Sequence, residues 1–132
     1  MNHVVWSQWD DLIVPEGVTR LSPKNCDLTT ADLSKITFYV PEYMSGREGL
    51  LHSLKMPNLQ ILQMPNAGFD DALEFVRPGI SLCNARGVHD ASTAELAIGL
   101  AISVRRGFYD FVRAQDRGEW LHRRYASLND SN

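Results

Sequence analysis

Two segments of the chain carry residue types suited to binding a small anion. The first, Met-Pro-Asn-Ala-Gly at residues 64–68, follows an apolar run and ends in glycine, which can adopt positive φ. Consecutive N–H groups at Ala67 and Gly68 are then able to form a small nest that suits a carboxylate. The alternative is an ordinary strand-to-helix turn in which the glycine serves geometry alone. The second segment begins at Asn84 and opens a long helix from Ala91.

The remaining polar groups do not match a known catalytic or metal-binding pattern. The four histidines share no spacing typical of a metal site or a catalytic dyad. The acidic pairs at 10–11 and 70–71 are expected to be solvated or to cap helices. Cys26 and Cys83 lie far apart and outside any C-x-x-C pattern, so neither a disulfide framework nor a zinc site is expected. We therefore expect no catalytic residue and no metal ligand in this chain.

Length and composition are those of one soluble globular domain. The chain has 132 residues, of which 44% are hydrophobic and 22% charged, and its net charge is −3. This negative charge predicts no general affinity for polyanions. No apolar run approaches the ~20 residues that a bilayer span requires, and the N-terminus lacks the pattern of a signal peptide. A cytoplasmic location is therefore expected.

Short apolar runs alternate with helical stretches along the first ninety residues. Four runs are predicted to be strands, with the second at the centre of the sheet: residues 4–6, 36–40, 59–63 and 80–83. Amphipathic patterns predict short helices at 44–55 and 71–76, and Pro15, Gly17 and Pro23 indicate turns. Strands separated by helices predict right-handed βαβ units, and therefore an α/β fold with a parallel sheet.

The last helix is predicted to be the longest, and its start is well marked. Ser92 and Glu95 match the S-x-x-E capping box, with Asp90 as the alternative cap. Residues 94–104 are apolar on nearly every side, so we expect protein to surround this part of the helix. The pattern then becomes amphipathic, and the helix is predicted to end near Gly118.

The glycine turn and the long helix belong to a series of short motifs in a fixed order. From residue 59 onward the series reads Leu59 to Asp71, Gly79-Ile80, Asn84-Ala85, Gly87-Val88, Thr93 to Ala97, Arg105-Arg106 and Gly118 to Trp120. Its order and spacing are more specific than any one piece. The chain resembles, from about residue 36 to 120, the N-terminal part of the D-isomer-specific 2-hydroxyacid dehydrogenases.

The resemblance implies two parts of a larger enzyme. Residues 1–87 would make most of a flavodoxin-like substrate domain, and residues 88–132 a linker and the first long helix of an NAD-binding domain. The fold implied is α/β, with a flavodoxin-like parallel sheet flanked by helices and followed by one long C-terminal helix.

Individual positions also acquire roles through this resemblance. In such enzymes the amides at the positions of Ala67 and Gly68 bind the substrate carboxylate, and the residue at Asn66 lines the same pocket. The position of Thr93 faces the nicotinamide end of the cofactor in several members. For Thr93 the alternative is helix-start chemistry alone.

The activity implied is NAD(P)-dependent oxidation of the CH–OH group of a small D-2-hydroxy acid, with reduction of the 2-keto acid in reverse. The cofactor would be NAD or NADP, held chiefly by a G-x-G-x-x-G loop that the family's catalytic Arg, Glu and His follow. Neither the loop nor these residues occur before Asn132, so this chain is expected to be a fragment, inactive alone. Members that act on phosphorylated substrates carry Arg-Ser where Val40-Pro41 stands here, which disfavours such a substrate.

Two other interpretations of the sequence stay open. One is a stand-alone flavodoxin-like binding or regulatory module without catalysis. The other is nucleic-acid binding by the mildly basic tail, although its interleaved acidic residues favour a salt-bridged face or a subunit contact. The apolar stripe of Phe108, Phe111 and Val112 fits a homodimer, which is common in the family. The expected partners are thus a small acid and a second copy, with no nucleic acid or membrane.

Overall fold

The chain folds into two compact units. The computed structural model describes residues 2–130. The division between the units falls between Val88 and His89. This point lies one residue from the boundary expected from the sequence, while the roles of the two parts as substrate and cofactor domains stay predictions.

The first unit is built on a five-stranded sheet. Its strands are β1 His3–Trp6, β2 Val18–Leu21, β3 Phe38–Tyr39, β4 Ile61–Gln63 and β5 Ser81–Cys83. They are all parallel and lie in the order β2-β1-β3-β4-β5. This is the flavodoxin-like order, and it confirms the predicted α/β class, the parallel sheet and the central place of β3.

One row of side chains crosses the whole sheet. The register aligns Leu21 with Trp6, Trp6 with Tyr39, Tyr39 with Leu62, and Leu62 with Leu82. The middle three are buried, and the rings of Trp6 and Tyr39 lie 5.5 Å apart. Because residues in register point to the same face of a sheet, this row anchors the hydrophobic core of the unit.

Short helices connect the central strands. Helix α1, Gly46–Leu51, continues into a 3₁₀ turn at His52–Lys55 between β3 and β4, and a second 3₁₀ turn at Asp70–Phe75 joins β4 to β5. Both connections bury apolar side chains in the core, including Leu50 and Phe75. The two predicted helices are therefore present, although much of their length is 3₁₀ rather than α.

Strand β2 was not predicted from the sequence, which indicated only turns at Pro15, Gly17 and Pro23 on either side of it. The strand pairs only with β1, at the edge of the sheet, and its middle residues Thr19 and Arg20 are exposed. An edge strand of this kind lacks the continuous apolar run that marked the other strands. The neighbouring turn signal is nevertheless real, since Gly17 adopts a φ of 82°.

The second unit contains helix α2, Asp90–Arg105, helix α3, Phe108–Asp116, and a 3₁₀ turn at Leu128–Asp130. A single helix was expected to run to about residue 118. It is interrupted at Gly107, which has a left-handed φ of 62° and lies against the ring of Tyr125. The left-handed conformation of Gly107 interrupts the helical backbone and so ends α2. Glycine suits this position because it adopts that conformation without steric cost.

The predicted capping box at the start of α2 is also wrong. The N-cap residue is His89, and no side chain caps the helix. The hydroxyl of Ser92 instead donates to the carbonyl of His89 at 3.0 Å. Since Ser92 lies inside the first turn, it bonds back to a preceding carbonyl rather than to the free amides that a cap satisfies. Asp90 likewise lies within the helix rather than at its cap.

Helix α2 keeps its apolar side chains largely exposed. Within its own unit it contacts α3 and the 3₁₀ turn at Leu128–Asp130. Leu96 remains 63% exposed and Val104 77% exposed, and no residue of the helix is buried. The expectation that protein surrounds residues 94–104 is therefore not met by the residues described. An apolar face of this extent is typical of a surface that another protein segment covers.

Candidate functional site

The glycine turn leaves the carboxyl end of β4 and is fixed to the segment that follows β5. The backbone N–H of Met64 donates to the carbonyl of Cys83 at 2.8 Å, and Ala85 N–H donates to Asn66 O at 2.9 Å. The side-chain Nδ2 of Asn84 donates to Ala67 O at 2.8 Å. The turn is thus hydrogen-bonded to β5 and to the residues that follow it. These bonds keep the turn at the carboxyl ends of the strands, where parallel α/β folds bind ligands.

The residues at the end of this turn are exposed to solvent. Both Ala67 and Gly68 are exposed, and among the described residues neither N–H donates a hydrogen bond to the protein. Two neighbouring N–H groups are therefore free to bind a ligand. Their exposure means that water solvates them in the unliganded protein, so their lack of a protein acceptor costs little.

Gly68 does not provide the positive φ that a nest was expected to need. It is not among the positive-φ glycines, so the predicted nest geometry at this residue is not formed. A Cβ at Gly68 would meet only Nδ2 of Asn66, at an ordinary contact distance of 3.6 Å. Neither backbone conformation nor packing therefore requires glycine here. The absence of a positive φ at Gly68 therefore removes the conformational argument both for the nest and for a glycine kept for turn geometry alone.

A pocket of about 300 Å³ opens beside the turn, between the loops that follow β3 and β4. Asn66 and Gly68 both line it, whereas Ala67 does not. The inner wall is apolar, with Leu50 at 1% and Met64 at 8% exposure. The rim includes Phe69, which is 43% exposed. A pocket of this size accepts a small organic molecule with a few carbon atoms.

Three acidic residues lie around this pocket. Glu42 follows β3, and Asp70 and Asp71 begin the 3₁₀ turn after β4. No lysine or arginine of the described chain lines it. The nearby Arg47 of α1 forms an ion pair with Glu74 and lies 5.3 Å from the centroid of the Phe75 ring. The acidic residues make the pocket electrostatically negative, and the groups that it offers to an anion are uncharged donors, namely backbone amides and the side-chain Nδ2 of Asn66.

The loop between β3 and α1 contains an unusual backbone conformation. Met44, which lines the pocket and is 84% exposed, has a φ of 64°. A left-handed conformation costs a residue with a side chain ~1–2 kcal/mol. Gly46, two residues later, has a φ of 57°, where glycine is at ease. The loop is held in place by Ser45, whose hydroxyl donates to the carbonyl of Glu42 at 2.7 Å.

A second cavity, of about 380 Å³, lies where the chain passes from β1 to β3. Its walls include Trp6, Tyr39 and the loop around Cys26. The Tyr39 hydroxyl donates to Gly49 O at 2.7 Å, and burial raises the pKa of this phenol. The indole N–H of Trp6 donates to Cys26 O at 3.0 Å. These polar atoms are satisfied within the protein, so the cavity offers fewer free donors to a ligand than the glycine turn.

Thr93 belongs to the second unit and is the fourth residue of α2. Its N–H donates to His89 O at 2.9 Å, which is an ordinary helical bond. Its side chain is exposed. The structure of this unit is therefore compatible with either role that the sequence left open for Thr93.

The sequence did not point to Glu42 or to the role of Asn84, and Asp70 and Asp71 were expected only to be solvated or to cap a helix rather than to line a pocket. A usable signal existed for Glu42 and Asp70, because both follow strands that were predicted to be neighbours in a parallel sheet. The bond from Asn84 to Ala67 joins residues 17 positions apart, which no local pattern reveals.

The described residues lack two further features, a cluster of metal ligands and a helix suited to a membrane. Within residues 2–130 no three His, Cys, Asp or Glu side chains lie close enough together to hold a metal ion. Of the helices in the same residues, none combines the length and apolar character that crossing a membrane needs.

Comparison with known proteins gives no assignment. No protein-family model matches this chain, and none of the curated proteins matches it significantly.

Proposed function

We propose that this chain is the N-terminal, substrate-binding portion of an NAD(P)-dependent oxidoreductase that acts on the CH–OH group of a small D-2-hydroxy acid. The observation that supports this most is the pair of exposed amides at Ala67 and Gly68, which have no acceptor among the described residues. Free backbone N–H groups can donate charge-assisted hydrogen bonds to a carboxylate even where, as here, the expected nest geometry is not formed. The proposal assigns the carboxylate to these amides, with Asn66 in the pocket wall.

The order of the strands gives a second line of support. In open parallel sheets of this order, ligands bind outside the carboxyl ends of the strands. The glycine turn follows the carboxyl end of β4, and the pocket beside it is bounded by the loop after β3. The proposed site therefore lies where this class of fold binds small molecules.

The proposed reaction divides between this chain and the rest of the enzyme. The hydroxy acid gives a hydride from C2 to the nicotinamide and a proton from its hydroxyl to a base, which leaves the 2-keto acid. The chain has no G-x-G-x-x-G motif, so the proposal assigns the main dinucleotide site to the rest of the enzyme and gives only Thr93 of this chain a contact with the cofactor. The part of this chain is to bind and orient the carboxylate, and the chain alone is expected to be inactive.

The direct test is a titration of the ¹⁵N-labelled chain followed by NMR. D-Lactate is expected to shift the amide resonances of Ala67 and Gly68 in a saturable way, and D-lactamide, which lacks the carboxylate, is not. Gly17 and Gly79 are exposed glycines elsewhere in the same unit and serve as internal controls. Equal responses to the two compounds, or shifts spread over all four residues, would contradict carboxylate binding at the turn.

The reading frame downstream of codon 132 tests the enzyme class. We expect a strand followed within about twenty residues by G-x-G-x-x-G, and later by Arg, Glu and His in that order. A stop codon at that point would instead favour a stand-alone flavodoxin-like binding or regulatory module.

We also propose that the protein forms a homodimer through its second unit. Six large apolar side chains on the two helices are 50–77% exposed, namely Leu96, Ile98, Leu100, Val104, Phe108 and Val112. Single exposed apolar residues are normal on a monomer, whereas a group of them on neighbouring helices is typical of an interaction surface. Light scattering coupled to gel filtration at micromolar concentration is expected to give twice the mass of 14.9 kDa. A monomer mass that persists up to 100-fold higher concentration would contradict the dimer.

A further inference from the structure

The pocket beside the glycine turn has an apolar inner wall and an acidic rim, and together these restrict the side chain that a bound acid can carry. This inference rests on the proposed function, because it takes the carboxylate to be bound by the turn amides. The pocket of about 300 Å³ extends from Gly68 to the loop after β3. A ligand whose carboxylate meets the amide of Gly68, which lines the pocket, has this pocket available for its side chain.

The inner wall favours an uncharged side chain. Leu50 and Met64, which line it, are buried against the hydrophobic core and present carbon and sulfur atoms. Placing a charged group against such a wall removes its water without supplying a partner. An alkyl group placed there loses unfavourable contact with water instead.

The rim disfavours a second negative charge. Glu42 on one side and Asp70 and Asp71 on the other contribute three carboxylates, and no basic side chain of the described residues lines the pocket. The closest candidate cation on α1, Arg47, is already paired with Glu74. A second carboxylate or a phosphate on the ligand would meet only like charges, which is how binding sites reject near-isosteric competitors.

We propose that this pocket selects D-2-hydroxy acids, and the corresponding 2-keto acids, whose side chain is uncharged and apolar, and that it rejects dicarboxylic and phosphorylated analogues. Glu42 is the main specificity-determining residue, because it lines the pocket from the loop after β3, whereas Asp70 and Asp71 belong to the same β4–β5 connection as the glycine turn. Its action is repulsion of a competing ligand rather than attraction of the preferred one.

The experiment compares two ligands of nearly equal shape. D-2-Hydroxy-4-methylpentanoate and D-malate differ in that an isopropyl group of the first is replaced by a carboxylate in the second. Each is titrated into the ¹⁵N-labelled chain at constant ionic strength, with the resonance of Gly68 as readout. We expect the dissociation constant for D-malate to be at least tenfold higher.

Substitution of one acidic residue then tests the cause. Glu42→Gln is expected to lower the dissociation constant for D-malate several-fold and to leave that for the methylpentanoate nearly unchanged. Glu48→Gln is the matched control, since Glu48 lies on α1 close in sequence but does not line this pocket. An equal effect of both substitutions would show that net charge, not the pocket, governs the preference.

The outcomes separate the two proposals. If neither ligand shifts Gly68, the carboxylate site itself is wrong and the proposed function fails. If both ligands bind equally well, the carboxylate site stands and the selection against a second charge is wrong. Tighter binding of D-malate than of the methylpentanoate would overturn the selection in the same way.

Discussion

Asn84 is linked to the glycine turn by a hydrogen bond of 2.8 Å, which its side-chain Nδ2 donates to the carbonyl oxygen of Ala67. The backbone N–H of the next residue, Ala85, donates a second hydrogen bond to the turn, to Asn66 O. The residues Ala67 and Gly68 are exposed, and neither N–H has an acceptor among the described residues. The segment after β5 is therefore a positioning element for the proposed carboxylate site.

Replacement of Asn84 by alanine is expected to weaken ligand binding more than it weakens the fold. Loss of one such hydrogen bond costs ~0.5–1.5 kcal/mol of stability. The affinity for D-lactate, measured by NMR titration, is expected to fall several-fold because the turn becomes less ordered. Asn58→Ala is the control, since Asn58 makes a comparable bond of 2.8 Å to Ser34 O elsewhere. Equal losses of affinity in both variants would contradict a positioning role for Asn84.

Gly107→Ala is expected to destabilise the second unit. The residue has a φ of 62°, which costs an alanine ~1–2 kcal/mol, and its added methyl group would also collide with the ring of Tyr125. Hydrogen exchange of the α3 amides is expected to accelerate accordingly. Gly118→Ala shares the positive φ, at 68°, but has open space around it. It should show the smaller effect; equal acceleration would argue that Tyr125 makes no difference.

The stability of the first unit is expected to fall at alkaline pH through Tyr39. Burial raises the pKa of this phenol, so its contribution is fully present below the unfolded pKa of ~10 and is lost as the pH rises above that value. Urea unfolding between pH 8 and 11, followed by the fluorescence of the adjacent Trp6, measures this decline.

The variant Tyr39→Phe separates the phenol from other alkaline effects. At pH 8 it is expected to be less stable by ~0.5–1.5 kcal/mol, because the hydrogen bond to Gly49 O is lost. Its stability should then decline less steeply with pH than that of the wild type. Parallel curves for the two proteins would show that Tyr39 does not cause the decline.

The two cysteines are expected to react at different rates with an alkylating reagent. Burial raises the pKa of the Cys26 thiol, and only the thiolate form is nucleophilic. Cys83 is only partly buried. Mass spectrometry of the native protein after iodoacetamide treatment at pH 8 should therefore find Cys83 modified first. In urea the difference should disappear, and a difference that survives unfolding would exclude burial as its cause.

The strands could be predicted where burial on both faces leaves a continuous apolar run. The run at residues 36–40 indicated the central strand, and β3 occupies that place. Strand β2 gave no such signal because it is an edge strand with exposed Thr19 and Arg20. The predicted element types thus held where apolar side chains face the core, which includes the edge strand β5, and failed at β2, whose middle side chains are exposed.

Features that depend on distant contacts could not be predicted. The interruption of the long helix at Gly107 involves Tyr125, and a glycine inside a helical pattern gives no sign of a break by itself. Likewise, the turn was identified from the sequence, but its hydrogen bonds to Asn84 and Ala85, which lie 17 and 19 positions further along the chain, were not. The predicted positive φ at Gly68 was wrong, although glycine did mark the turn.

The two outermost strands of the sheet, β2 with four residues and β5 with three, leave very short unpaired margins. A margin of this length offers few main-chain groups on which a foreign strand can template itself, and β2 additionally carries Arg20. Self-association of the first unit by strand addition is therefore disfavoured, and the protein should resist fibril formation on prolonged incubation.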